Sequence, residues 1–170
     1  MEARQGASIE IERRFLVKRI PEDIEKYRHS ELASGFFIMR DDEYYRIRHS
    51  GDEYSLTYKS GFGLIRKEIE IPITREFFDI LWESVKPEFK SEKARYYIPY
   101  ESHIIELSIY HGSLNGYVNA EVELKHEDEK VRLPDWIGPE ITTNRILTHN
   151  LGKPPETVLE EARRLLRESN

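Results

Sequence analysis

The chain has 170 residues, enough for one domain with a substantial core, and its lack of cysteine excludes disulfides, thiolate metal sites and thiol nucleophiles. Charged residues make up 34%, yet acids and bases nearly cancel to a net charge of -6, which argues against a general nucleic-acid binder. No apolar run approaches the ~20 residues of a membrane span and no secretory h-region follows Met1, so a cytoplasmic protein without a membrane partner is expected.

A single domain over 1–170 is expected, beginning with a flexible tail over 1–8. In Ile9 to Val17 (IEIERRFLV), apolar and charged residues alternate at a period of two, the mark of a strand with one buried face. Pro21 with Glu22, Asp23 and Glu25 reads as a short helix, since proline and acids suit a first turn. Leu32 to Arg40 is a less regular strand. Glu43 to His49 and Glu53 to Lys59 form a hairpin about Ser50-Gly51-Asp52, and Ile65 to Ile73 is the next strand.

Thr74 caps a helix from about Arg75 to Val85 that places Phe77, Phe78, Leu81, Trp82 and Val85 on one face, as core or as a plug for a barrel. Strands resume at Lys90 to Tyr100, Ser102 to Tyr110 and Tyr117 to His126. Leu133 to Glu140, with two prolines and a glycine around Trp136, reads as a loop anchored by an aromatic. An amphipathic helix over 156–168 ends the chain. Some eight strands in hairpin sequence indicate an antiparallel sheet large enough to close.

The polar residues sharing one face of each strand are unusual. They are Glu10, Glu12 and Arg14; Arg46 and Arg48; Lys59; Arg66, Glu68 and Glu70; Lys93 and Arg95; Glu106 with Ser108; and Glu121, Glu123 and Lys125. Opposite them run Ile11, Phe15, Ile47, Leu56, Ile69, Ile71, Ile105, Leu107, Ile109, Val122 and Leu124. Two arrangements satisfy this alternation: charges outward around a dry core, or charges inward with the apolar outside covered by helices and loops.

Buried charges must be paired or solvated, and the near-equal numbers of opposite sign meet that condition for the inward arrangement. A wet eight-stranded barrel holds one small ligand. Glutamates two apart on a strand project the same way, roughly 7 Å apart, and such clusters suit a hard divalent cation, Mg²⁺ or Mn²⁺. Arg-x-Arg and Lys-x-Arg match phosphate oxygens. Together these describe a site for a polyphosphate. The six histidines show no metal-ligand spacing and read as surface or packing residues. Tyr44 and Tyr97 are candidates to line the hollow.

These motifs resemble those of the CYTH superfamily, the triphosphate tunnel metalloenzymes. The N-terminal Glu-x-Glu-x-Lys is matched by Glu10-Ile11-Glu12-Arg13-Arg14. The later motifs are matched by Arg46 with Arg48, Lys59, Arg66 with Glu68 and Glu70, Lys93 with Arg95, and Glu121 with Glu123. The resemblance runs in order from Glu10 to about Thr142. It implies a closed eight-stranded antiparallel β-barrel with a charged interior and peripheral helices, and a metal-dependent hydrolase of a small triphosphate, inorganic tripolyphosphate first.

By the same resemblance, Arg46, Arg48, Lys59, Arg66, Lys93 and Arg95 bind the phosphates. Glu10, Glu12, Glu121 and Glu123 hold Mg²⁺ or Mn²⁺, aided by Glu68, Glu70 and Glu106, and Arg14 with Glu10 and Glu12 forms the catalytic set. Arg14 stands where the family has lysine; a guanidinium orients and neutralises but is no base. Ser108 stands where Asp is frequent, and the tyrosine expected after Thr142 is not evident. Alternatives within the superfamily are a class IV adenylyl cyclase and a thiamine triphosphatase. A module that binds triphosphate or polyphosphate without turnover is the non-enzyme alternative. A homodimer is compatible with the sequence.

Overall fold

The computed structural model describes residues 7–40, 42–148 and 152–169. The strands are β1 (Ser8–Val17), β2 (His29–Arg40), β3 (Glu43–Ser50), β4 (Glu53–Ser60), β5 (Ile65–Pro72), β6 (Lys90–Tyr100), β7 (His103–Tyr110), β8 (Val118–Glu123) and β9 (Ile137–Glu140). The helices are α1 (Arg75–Ser84), α2 (Arg145–Thr148) and α3 (Pro155–Glu168).

Strand order in the sheet is β5-β4-β3-β2-β6-β7-β8-β1, and β1 pairs back onto β5, so among the described residues eight antiparallel strands close a barrel. One edge of β1 serves two partners in succession. Its first half, Ser8 to Ile11, pairs with β5, and Phe15 and Val17 pair with β9. The Ile141 N–H donates to the Arg14 carbonyl at 2.7 Å just where β5 has ended. Closure leaves β1 no unpaired edge to template aggregation.

The period-two pattern now has a direction: charges point in. Cross-strand partners share a face, and Arg14 lies opposite Glu121, Glu106 opposite Glu121, and Lys59 opposite Glu68. The apolar residues point out and are covered. Phe15, Ile105, Leu107 and Val122 on the outside of β1, β7 and β8 pack with Trp136 and Ile24, joined by Val131 and Leu133 of the segment after β8. A second cluster seats α3 through Val158 and Ala162 against Leu16, Tyr117, Ile141 and Leu147.

Helix α1 covers β3 and β4 from outside rather than plugging the barrel. Thr74 caps it, its hydroxyl accepting the Phe77 N–H at 3.2 Å, and Phe78 and Val85 pack on Ile47, Tyr54 and Leu56. A Cβ on Gly35 would meet Val85 Cγ2 at 2.8 Å, so a glycine in β2 is what lets the end of this helix approach the sheet. The outer face of β5 keeps Ile65, Ile69 and Ile71 exposed.

Several expectations are corrected. Leu133 to Glu140 is not wholly loop, because Ile137–Glu140 finds the free edge of β1 and becomes β9. The helix after Pro21 is only a 3-10 turn, Ile24–Lys26, and β2 begins at His29 rather than Leu32. Phe77 is 46% exposed while Phe78 beside it is buried, so α1 buries a narrower stripe than its aromatics suggest. Of the expected tail, 1–6 lies outside the described residues, and Ser8 is already paired with Glu68.

Candidate active site

The barrel encloses a cavity of about 680 Å³. Glu10, Glu12 and Arg14 reach it from β1, Arg46 and Arg48 from β3, Lys59 from β4, and Glu68 and Glu70 from β5. Lys93 and Arg95 reach it from β6, Glu106 from β7, and Glu121 and Glu123 from β8, where Glu123 lies opposite Glu12 of β1. Arg66 and Ser108 are buried in the wall, Arg66 behind the first two glutamates and Ser108 behind Arg95.

Two networks organise these groups. In the first, Lys59 Nζ donates to Glu10 Oε1 and Oε2 at 2.9 and 2.8 Å and pairs with Glu68 Oε2 at 2.7 Å. Arg66 Nη2 bridges Glu10 Oε2 at 2.8 Å and Glu12 Oε1 at 3.1 Å. In the second, Arg95 donates from its two terminal nitrogens to Glu106 and Glu121. Arg14 joins the two, with Nε 2.5 Å from Glu12 Oε1 and 3.6 Å from Glu121 Oε1.

Burial works against the charge on Arg14, yet Glu12 and Glu121 outweigh it and hold its pKa well above the ordinary value. Arg14 therefore neutralises and orients, and cannot take a proton. Burial likewise pushes Glu121 up, but Arg95, Lys93 and Arg14 prevail and hold it well below the usual carboxylate range. Glu70 is held low in spite of burial by the Thr57 hydroxyl and Arg46.

The remaining groups are under opposite stress. Lys93 is pulled well below the ordinary lysine value by burial and then by Arg95, and Arg48 is pulled down to about 9 by burial and then by Arg46 and Arg95. Among the described residues, neither has a carboxylate within 4.0 Å; Lys93 Nζ lies 5.1 Å from the Tyr110 ring centroid, and Arg48 Nε donates to Ser34 Oγ at 3.3 Å. Across the cavity, burial and then the carboxylates of Glu10, Glu12 and Glu68 raise the pKa of Glu123. One wall thus wants an anion and the other a cation.

On that side Lys59, Arg66 and Arg14 already meet Glu10, Glu12 and Glu68, while Glu123 faces those carboxylates and carries their repulsion; the clustered carboxylate oxygens suit a hard divalent cation. Among the described residues no three acidic or histidine groups already close on a common metal position. Ser108, fully buried, is no candidate ligand; its hydroxyl faces Arg95 Nε at 3.4 Å.

The sequence reading missed Ser34, Asn119 and Tyr110, which line the cavity, and Thr57, which is buried in its wall. Thr57 sits two residues before Lys59, so the period of two alone would have placed it. Tyr44 and Tyr97 do line the cavity. One histidine was misread: His103 lines the cavity, its Nε2 2.9 Å from Glu129 Oε1 and its Nδ1 3.2 Å from Ser102 Oγ. His149 lies outside the described residues.

A closed antiparallel barrel with acidic and basic side chains around one charged hollow suits a small polyanion together with a cation. Residues 8–153 match the CYTH domain model, and the chain belongs to that family. Among curated relatives, an inorganic triphosphatase of Nitrosomonas europaea is 34% identical over 141 residues, covering 80% of this chain and 91% of that protein. An inorganic triphosphatase of Acetivibrio thermocellus is 35% identical over 127 residues, covering 71% and 79%. A solved crystal structure of an inorganic triphosphatase shares the architecture with a TM-score of 0.60 at 29% identity, covering 88% of this chain and 94% of that one.

Proposed function

We propose that this chain is a single domain that hydrolyses inorganic tripolyphosphate in the barrel cavity with the aid of a divalent metal ion, Mg²⁺ or Mn²⁺. The observation that carries the reading is the pair Arg48 and Lys93, cations facing the cavity, Lys93 buried and Arg48 partly so, with no carboxylate within 4.0 Å among the described residues. A phosphate chain supplies the charge they lack, and the curated relatives named inorganic triphosphatase support that choice of anion.

In this reading Arg46, Arg48, Lys93 and Arg95 hold phosphate oxygens, while Lys59 and Arg66 steady Glu10 and Glu12. Their fixed positive charge meets the charge spread over the transferring phosphoryl group, the main source of catalysis in such reactions. Glu10, Glu12, Glu68 and Glu123 would hold the cation, which when bound polarises phosphate oxygens and readies a water. Glu70, Glu106 and Glu121 set the position of the arginines, and Arg14 keeps the two networks in register. Lack of cysteine suits a reducing compartment, which supports a cytoplasmic location; no helix among the described residues is long and apolar enough to cross a membrane.

A phosphate-release screen tests the reading. Tripolyphosphate, ATP and thiamine triphosphate are each supplied with Mg²⁺ and with Mn²⁺. Fastest release from tripolyphosphate is expected. Cyclic AMP from ATP would make the chain a cyclase instead, and tight tripolyphosphate binding with no release in either metal would make it a binding module.

A further inference from the structure

Three cavity arginines share an arrangement that their roles as phosphate clamps do not explain. Each lies directly across a strand pair from a buried hydroxyl: Arg46 from Thr57, Arg48 from Ser34, and Arg95 from Ser108. The hydroxyl residues are 0%, 3% and 0% exposed, respectively. Arg46 Nη2 donates to Thr57 Oγ1 at 3.0 Å, Arg48 Nε to Ser34 Oγ at 3.3 Å, and Arg95 Nε to Ser108 Oγ at 3.4 Å. We propose that Ser34, Thr57 and Ser108 are positioning residues, whose hydroxyls aim the three guanidinium groups at the phosphate chain without adding a further negative charge. The inference rests on the reading of the cavity as a triphosphate site and says how that site keeps its charge.

A guanidinium on a strand can be held in two ways. A carboxylate holds it firmly but cancels the charge that a phosphate needs. A hydroxyl accepts one N–H, limits the side chain to fewer rotamers and leaves the charge intact. Strand register makes the second way available, because directly opposed residues have Cβ atoms about 5 Å apart on one face.

The Thr57 case shows the device most fully. Its hydroxyl donates to Glu70 Oε2 at 2.7 Å while accepting from Arg46, and the carboxylate itself stays 3.4 Å from Arg46 Nη2. Thr57 thus stands between acid and base and weakens their direct pairing. Ser34 holds Arg48 without any acid beside it, since Arg48 has no carboxylate within 4.0 Å among the described residues. At Arg95 both terminal nitrogens already meet Glu106 and Glu121, and Ser108 takes the third position, Nε, where an aspartate would add another negative charge. The serine that departs from the family pattern then has a purpose.

The test measures tripolyphosphate binding by calorimetry, KM and kcat by phosphate release, and thermal unfolding, for the wild type and for Thr57→Val, Ser34→Ala, Ser108→Ala and Ser34→Asp. Each apolar variant should bind roughly 3- to 10-fold more weakly, as expected for one lost hydrogen bond, with KM raised and kcat lowered as well, because the same guanidinium groups meet the transition-state charge. Thr57→Ser, which restores a hydroxyl, should recover most of the affinity lost in Thr57→Val. Ser34→Asp should bind roughly tenfold more weakly than Ser34→Ala, because it cancels the charge on Arg48. Wild-type binding with Ser34→Ala and Ser108→Ala unchanged overturns the positioning role. Ser34→Asp equal to Ser34→Ala overturns the charge-sparing role. A wild type that does not bind tripolyphosphate overturns the triphosphate reading itself, a different failure. Should Thr57→Val not fold, the two serine variants decide.

Discussion

Replacing Lys93 by methionine should make the protein more stable and less able to bind its ligand. The ammonium is buried, has Arg95, Arg48 and Arg14 as unfavourable neighbours, and lies against the Tyr110 ring, with Glu121 as its opposing charge. Its folded-state pKa lies below that of the unfolded chain, so between the two values the unfolded chain binds more protons and stability rises with pH; below that window the whole penalty is present. Methionine has similar length, no charge and a polarisable sulfur that tolerates an irregular site. Removing an uncompensated buried charge in favour of an apolar group should stabilise by about 1–3 kcal/mol, which for a chain of this size raises the melting temperature by roughly 2–10 °C.

Loss of one charge-assisted bond to phosphate, about 1.5–3 kcal/mol, should weaken tripolyphosphate binding roughly 10- to 150-fold. Scanning calorimetry without ligand gives the first quantity and titration calorimetry the second. The pairing of the two results is diagnostic. A variant that melts earlier and binds as well as the wild type would mean that Lys93 is a structural cation, and the anion-seeking wall would lose its basis.

Glu123→Gln removes a carboxylate whose pKa is raised by burial and by Glu10, Glu12 and Glu68. In the window above the ordinary value the folded state keeps a proton that the unfolded chain loses, so stability falls as pH rises through it. The variant should melt slightly later without metal and need roughly tenfold more Mn²⁺ for half-maximal rate, checked by thermal shift against metal titration. In the wild type the same group predicts metal affinity falling as pH drops through its raised pKa.

Glu121→Ala leaves Arg95 and Arg14 short of a counter-charge and should cost about 3–5 kcal/mol, read by circular-dichroism melting. Because Glu121 is held low in the fold, its stabilisation is present above the unfolded carboxylate value and lost as pH falls through the folded one, so the acid limb of the wild-type stability curve should flatten in the variant. Arg14→Lys keeps the charge but loses the Nε that meets Glu12 and lies near Glu121, and should lower stability by about 1–2 kcal/mol. It also introduces a titratable amine, so a new basic limb in the pH–rate profile is expected; an unchanged profile would show that no proton moves at this position.

Much of the site was legible because β-strands project alternate residues to opposite faces. Glu10, Glu12 and Arg14 had to share a side, as did Arg46 with Arg48 and Lys93 with Arg95, and all seven line the cavity. Isolated residues escaped. Ser34 lies in a strand with weak alternation, and Thr57 is an ordinary β-former whose importance depends on what stands opposite it in β3 and β5. His103 was unreadable for the same reason, since its partner Glu129 comes from the segment after β8.

The sequence by itself determined which side chains travel together: local sterics impose the period of two, and no tertiary contact can separate residues i and i+2 of a regular strand. The direction in which those groups point, the closure of β1 on β5, and the conversion of Ile137–Glu140 into a strand were decided only in the folded molecule. The same holds for the split into paired arginines and the cations Arg48 and Lys93, which have no carboxylate within 4.0 Å among the described residues. Pairing depends on which strands become neighbours and in what register, and distances between charges far apart in the chain exist only once the barrel has closed.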